Sequence, residues 1–425
     1  MFKKIALATT MVFAIAGAAE AKVTITCLTT AGHMTRQHEP LVKQFNEMQD
    51  EIEVVYAAPS KSYSDTHLKL FRASATNTLP DCAFQAYNQL PSLARALEAR
   101  GQIVDLDELM AKEADGWKAA NYADKMLDLA RVDGKQYGMP FNASVIQWYY
   151  NGDLVKQAGG DPDKLPTTWE GIIELAKKIE ALGPDIAGMS YAVEQWGDDW
   201  PFQTLILQQG GRMLNAAGDA VAFNENNYHL NAMKLARKLV EEGVYDPTID
   251  QADQFTQFTE GKMGLYATSP ASARNTEERV GGAFDLRSTI FSVWNDENGL
   301  LPSGGNAAII TTQDPEKIAA AWEYIKFVTG PKGQEFAAQI TGYLPTNIGA
   351  LAPELLGNYY DANPYYATPS KQYDRAGPWS GYPGTQSEKI WRDQKSVIRA
   401  VMLGEKTPEE GANELVSISE NLMKR

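Results

Sequence analysis

Short β-branched runs and amphipathic stretches alternate along the chain from residue 23 onward. Residues 23–30, VTITCLTT, alternate and then break at Ala31-Gly32-His33. EPLVKQFNEMQ follows with Leu41, Val42, Phe45 and Met48 at helical spacing, which predicts a helix. IEVVYAA reads as a second strand, and SYSDTHLKLFRASATN as an amphipathic helix capped by Ser64 or Asp65. PDCAFQAY is a third strand, and LPSLARALEARG a helix that stops at Gly101. Strand, helix, strand, helix, strand predicts a parallel α/β sheet.

The alternation then restarts. TWEGIIELAKKIEALG, WPFQTLILQQGG and NYHLNAMKLARKLVEEG read as helices around the strand IAGMSYAV. GKMGLYATSPASARN reads as a strand running into a helix start, and GGNAAIITT as a further strand. A long helical pair broken at Gly330-Pro331 comes next, and the last forty or so residues are helical with a break between Gly404 and Pro408. No repeat and no low-complexity linker divides the chain. Two α/β units that share chain segments fit this order.

One stretch departs from a plain core pattern. GMPFNASVIQWYYNGDLVKQAG, residues 138–159, mixes Asn142, Ser144 and Gln147 with Phe141, Val145, Ile146, Trp148, Tyr149 and Tyr150. A strand that leaves one lobe at Gly138-Met139-Pro140 and skirts a ligand cleft accounts for the polar set. A half-exposed edge strand has the same alternation. Asn151 and Asp153 are expected to cap the following helix.

Composition narrows the function classes. The chain of 425 residues has 44% hydrophobic and 22% charged positions, enough for large cores, and its formal charge of −15 argues against nucleic acid and against anionic membrane surfaces. Residues 1–21 carry Lys3 and Lys4, an apolar run from Ile5 to Ala18, and Ala19-Glu20-Ala21, the order of a cleaved secretory signal peptide. A periplasmic protein is expected. Cys27 and Cys82 are the only cysteines, and both fall inside predicted strands, so two core thiols are expected, although an oxidising compartment permits a bridge. Two Cys and four scattered His give no metal spacing, and no nucleophile elbow, phosphate loop or dinucleotide fingerprint occurs. The reading therefore includes no metal, no cofactor and no catalysis.

Several stretches together carry a resemblance: LVKQFNE, DGKQYGMPFNASVIQWYYNGDL, PTTWEGIIELAKKI, FTEGKMGLYATSPAS, SGGNAAII, ITGYLPTN and GEKTPEEG. The chain resembles the extracellular solute-binding proteins of carbohydrate-uptake ABC transporters, close to the maltose-binding and glycerol-phosphate-binding group. The resemblance implies the two-lobe periplasmic-binding-protein fold (type II), an α/β architecture with hinge-crossing strands and ligand held between the lobes. It places the N-terminal lobe at 22–139 and 303–346, and the C-terminal lobe at 140–302 and 347–425. The implied partners are a carbohydrate or polyol ligand and an inner-membrane permease, with the protein a monomer.

Binding a polyol needs flat aromatic faces and planar polar groups. EQWGDDWPFQ sets Trp196 and Trp200 four residues apart, which is one face of a helix start. Asp198 and Asp199 between them are read as solvated charges or hydroxyl acceptors. DRAGPWSGYPGTQSEKI is too rich in Gly and Pro for regular structure, so Trp379 and Tyr382 sit on a loop that is expected to line the cleft, with Arg375 just before it. The resemblance adds His33, Tyr63, Gln85, Tyr87, Asn88, Ser144, Ser269, Ser272, Gly305, Asn306 and Tyr343 as candidate ligand contacts, each with a turn or packing role as its alternative. The position of the family's phosphate-binding Arg falls near Pro383, which favours a neutral ligand. A phosphorylated or sulfonated polyol, reached by Arg375, is one alternative. A secreted carbohydrate-active enzyme is another.

Overall fold

The computed structural model describes residues 22–294, 299–384 and 386–424; the leader read at 1–21 lies outside them. Apart from a short hairpin at 131–136, the strands in chain order are β1 (Val23–Leu28), β2 (Ile52–Tyr56), β3 (Cys82–Ala86), β4 (Met139–Ser144), β5 (Gln147–Asn151), β6 (Ala187–Ser190), β7 (Met263–Thr268), β8 (Leu286–Ile290), β9 (Leu301–Pro302), β10 (Gly304–Ile310) and β11 (Ala376–Gly377). They form two main sheets, ordered β2-β1-β3-β10-β4 and β8-β5-β7-β6, and a small β9-β11 pair.

In the first sheet β2, β1 and β3 run parallel, because a helix returns the chain between them, and β10 is antiparallel to both its neighbours. The expected strands and helices of this half are present. Every residue of β3 and β10 is buried, as expected of central strands covered by helices on both faces. The helix Tyr63–Thr76 starts earlier than expected: its cap is Ser62, whose Oγ accepts from the Asp65 amide at 3.2 Å. In the second sheet β7 is parallel to β6 and antiparallel to β5. Helices Trp169–Glu180, Trp200–Leu207, Tyr228–Glu241, Ser387–Met402 and Pro408–Met423 share one large core with that sheet. Asn151 caps its helix as expected, accepting from the Asp153 and Leu154 amides.

Cys27 and Cys82 are directly opposite in the β1–β3 register and form a disulfide. The expectation of two free thiols is thereby corrected. Strand periodicity shows that each is buried, but only the pairing of the strands shows that they share a face.

The crossing points also shift. Met139 to Ser144 pair with β10, so the chain leaves the first sheet at Val145-Ile146 and not at Gly138–Pro140. The second crossing lies at Ser303, between β9 and β10. Residues 347–356 were expected in the C-terminal lobe. Instead Asn347 donates to the Thr329 carbonyl at 3.0 Å, and Ala350 and Leu356 pack on Ala338, all first-lobe contacts. Tyr366 already packs with Tyr149 and Tyr266 of the second sheet, so the third crossing lies between them. No helix among the described residues is long and apolar enough to cross a membrane.

Candidate functional site

The residues that end the first-lobe strands converge on one wall. His33 follows β1, its Nδ1 lying 3.1 Å from Thr30 Oγ1 and its Nε2 3.3 Å from the Tyr343 hydroxyl. If Thr30 donates, Nδ1 is the acceptor and Nε2–H points at Tyr343. Burial, with the charge of Arg36 adding to it, lowers the His33 pKa to about 4, so the ring is neutral. Tyr63 opens its helix with its ring 5.6 Å from that of His33, and its hydroxyl accepts from Asn306 Nδ2 at 2.9 Å. Tyr87 and Asn88 follow β3. The Tyr87 hydroxyl, Asn88 Oδ1 and Asn306 Oδ1 are buried without a hydrogen-bond partner among the described residues, an arrangement that costs free energy unless a ligand or water completes it.

The facing wall comes from the second lobe. Trp196 and Trp200 lie 5.6 Å apart, centroid to centroid, and Trp200 Nε1 donates to the Pro302 carbonyl at 2.6 Å, beside the second crossing. The Gly- and Pro-rich loop is pinned to the helix Trp200–Leu207. Gln203 Nε2 donates to the Ser380 carbonyl at 2.7 Å and to Asp199 Oδ2 at 2.9 Å, and Trp379 Nε1 donates to Asp199 Oδ1 at 3.1 Å. Trp379 and Tyr382 are both buried, and the Tyr382 hydroxyl accepts from Gln394 Nε2 at 3.1 Å. Of the two, Tyr382 lines the cavity, and Trp379 packs into the second-lobe core.

The lobes touch directly at several points, among them Arg274 on the Gln339 carbonyl and Lys125 on the Asp374 carbonyl. Ser144 Oγ lies 2.9 Å from Ser269 Oγ, joining the end of β4 to the end of β7. A Cβ placed on Gly381 would stand 1.7 Å from the Asn88 carbonyl oxygen, so the loop touches first-lobe backbone there. Between the walls is a cavity of about 260 Å³ whose lining includes Asn88, Asp198, Asp199, Gly381, Tyr382 and Trp391.

Asp199 is buried, whereas Asp198 is only half-buried on the cavity lining. Burial, then the neighbouring Asp199 charge, pushes Asp198 up to about 7 even though the Trp200 amide hydrogen-bonds to it. Burial pushes Asp199 up to about 6 against the opposing hydrogen bonds from Gln203 and Trp379. Hydroxyl acceptance is the part of the sequence reading that the geometry keeps open, for Asp198 above all.

Four expected contacts sit elsewhere. Arg375 does not face the cleft: its guanidinium donates to the backbone carbonyls of Phe291, Ser292 and Gly299, at 2.7, 3.2 and 3.2 Å. Gly305 lies inside the sheet with φ 118°, and a Cβ there would stand 2.0 Å from the Asn142 carbonyl oxygen, so it serves strand packing. Ser272 Oγ donates to the Ser269 carbonyl at 2.8 Å and closes a turn. Gln85 Nε2 is 3.1 Å from both His67 Nδ1 and Gln89 Oε1, which occupies its donor. Asn142, part of the polar set that marked the crossing strand, forms a reciprocal amide pair with Gln37 at 2.9 Å.

The sequence reading did not name Ser380, Gly381 and Trp391 as cleft residues; the first two lie inside the irregular loop it singled out, while Trp391 looks like an ordinary core position of an amphipathic helix. Among the described residues no group of three or more His, Cys, Asp or Glu could hold a metal ion.

The geometry is that of an inter-lobe cleft whose cavity lining carries the Tyr382 and Trp391 rings and the Asn88 side chain. Residues 40–368 match the profile described as bacterial extracellular solute-binding protein. The chain is 23% identical over 388 residues to the sn-glycerol-3-phosphate-binding periplasmic protein UgpB of Rhizobium meliloti (strain 1021), covering 90% of this chain and 89% of that protein. In fold it is similar to the cyclic alpha-maltosyl-1,6-maltose binding protein from Arthrobacter globiformis, with a TM-score of 0.78 at 20% identity over 95% of this chain and 99% of that one. UgpB from Mycobacterium tuberculosis, in complex with glycerophosphocholine, gives a TM-score of 0.78 at 20% identity over 95% and 98% of the two chains. With the profile matched across most of its length and the two-lobe cleft in place, the chain belongs to the family of bacterial extracellular solute-binding proteins.

Proposed function

We propose that this protein is the periplasmic substrate-binding component of an ABC importer, a non-catalytic monomer that holds a carbohydrate or polyol between its lobes and delivers it to an inner-membrane permease. One observation carries the reading: a cavity walled by both lobes, with the Tyr382 and Trp391 rings on its second-lobe face and the buried acceptor Asn88 Oδ1 without a partner among the described residues. A polyhydroxylated ligand supplies the missing donors and lays its C–H faces on the rings. It contacts both lobes only when they are closed, so binding favours closure. The relatives named for sugars and for glycerol phosphates support this ligand class.

A neutral ligand is preferred, because Arg375 is committed to backbone carbonyls and the Arg392 and Lys395 charges on the cavity lining are matched there by the Asp198, Asp199 and Glu388 carboxyl groups. Arg36 favours the second reading, a phosphorylated or sulfonated polyol. It is exposed and lies near His33 and Tyr343 at the edge of the first-lobe wall. The enzyme reading has little support, since Asp198 and Asp199 are adjacent on one wall and do not flank a bond.

A thermal-shift screen over sugars, polyols and their phosphate and sulfonate forms, with product analysis of every hit, tests the proposal. A ligand at a hundred times its dissociation constant adds about 2.7 kcal/mol to stability. A stoichiometric shift without product is the expected result. Turnover of a hit, or a hit that leaves the radius of gyration unchanged, overturns it.

A further inference from the structure

The inter-lobe cavity has two chambers of different chemistry. The chamber at Asp198 continues into a second one of about 280 Å³, and the two share Ser64, Asn88, Gln89, Tyr382, Ser387 and Glu388. The second chamber lies between the helix Tyr63–Thr76 of the first lobe and the start of Ser387–Met402 of the second. Leu68, Phe71 and the Tyr382 ring supply its apolar wall. Leu68 is 49% exposed, one of the few large apolar side chains this chain leaves in water. A helix has no packing reason to expose Leu68 one turn from a half-buried Phe71 at the edge of a polar cleft.

Polar side chains border this apolar wall, His67, Ser92 and Glu388 among them. The Tyr382 hydroxyl is taken by Gln394, so the residue offers its ring. The His67 ring meets Phe71 edge-on at 4.7 Å, and its Nδ1 is 3.1 Å from Gln85 Nε2. An amide donor on Nδ1 leaves Nε2–H as a hydrogen-bond donor. Glu388 is the only formal charge on the lining among the described residues.

We infer that the ligand is a conjugate, with a polyhydroxylated unit in the Asp198 chamber and an aryl or alkyl substituent, joined through an ether-type oxygen, in the chamber of Leu68, Phe71 and Tyr382. The inference rests on the polyol reading of the first chamber and adds the class of substituent. The room suffices, since a dry cavity of about 150 Å³ already takes benzene. His67 Nε2–H is the donor for the linking oxygen. The substituent touches both lobes, so it reinforces closure.

Calorimetry on matched pairs tests this: methyl against phenyl β-D-glucoside, methyl against phenyl β-D-galactoside, and glycerol against its phenyl ether. The phenyl member of at least one pair is expected to bind roughly tenfold tighter or more. In Leu68→Ser and Phe71→Ser that ratio should fall toward one; Leu68 is exposed enough that the first variant keeps its fold. Equal affinities within every binding pair, or an advantage that survives Leu68→Ser, overturn the inference while the polyol reading stands. If no pair binds, the polyol reading loses these head groups, and benzyl alcohol decides the substituent by itself. Its titration against methyl-labelled protein must move the Leu68 methyl resonances, and an unmoved Leu68 overturns the inference.

Discussion

Replacing Gly381 by Ala sets the two lobes against each other without touching either core. The added Cβ would stand 1.7 Å from the Asn88 carbonyl oxygen and 2.9 Å from its carbon. Non-bonded carbon and oxygen need more than 3 Å, so the lobes must part by more than about 1 Å at this contact. Neither side yields easily. Asn88 follows the buried strand β3, and the loop is clamped by the paired hydrogen bonds between Gln203 and Ser380. The φ of Gly381 lies outside the left-handed region, so Ala adds no local backbone strain. Overpacking of this kind costs about 1–3 kcal/mol, and here it falls on the closed state alone. Affinity for a polyol or carbohydrate found by thermal screening should therefore weaken roughly 5- to 150-fold. The unliganded unfolding midpoint should stay near that of the parent. Calorimetry measures the first, and small-angle scattering with saturating ligand should show less compaction than in the parent. Gly32→Ala is the control, since nothing lies within 4 Å of its added Cβ. Unchanged affinity together with unchanged compaction in Gly381→Ala would refute Asn88–Gly381 as a closure contact.

Three further outcomes are expected. Removing the Cys27–Cys82 bridge, which spans 55 residues, should cost about 4 kcal/mol of stability, read as a lower urea midpoint in the Cys27→Ser/Cys82→Ser double variant; an unchanged midpoint contradicts it. Arg375→Ala should lower stability by about 2 kcal/mol or more, because three backbone carbonyls lose a charged donor, while the salt dependence of ligand affinity stays as it was; a selective loss of affinity at full stability would return Arg375 to the cleft. Asp198 and Asp199 sit at about 7 and about 6 in the closed arrangement against an ordinary 3.8. A raised carboxyl pKa stabilises the arrangement at low pH, and that contribution is lost as pH rises through 6 and 7. The closed protein should thus be less stable at about pH 8 than at about pH 5, and Asp198→Asn should flatten the profile; an identical profile in the variant removes Asp198 as the cause.

The sequence by itself determined what depends on near neighbours along the chain. Alternation in VTITCLTT and helical spacing in EPLVKQFNEMQ gave β1 and the helix after it, because the period of apolar positions is a local property of the backbone. Strand–helix–strand order gave the parallel arrangement of β2, β1 and β3. Gly and Pro density marked the stretch from residue 374 as irregular, and Ser380, Gly381 and Tyr382 of that loop line the cavity, while Trp379 packs its ring against Asp199. Tertiary structure decided everything that depends on which distant segment arrives opposite. Whether Cys27 meets Cys82 is a matter of strand register. Arg375 beside two aromatic residues reads as a ligand group until the carbonyls of Phe291, Ser292 and Gly299 are brought around it. Asp199 reads as solvated until Gln203 and the distant Trp379 are brought around it. A polar side chain carries no local signature of its surroundings: its pKa and its role are set by desolvation and by partners that only folding supplies.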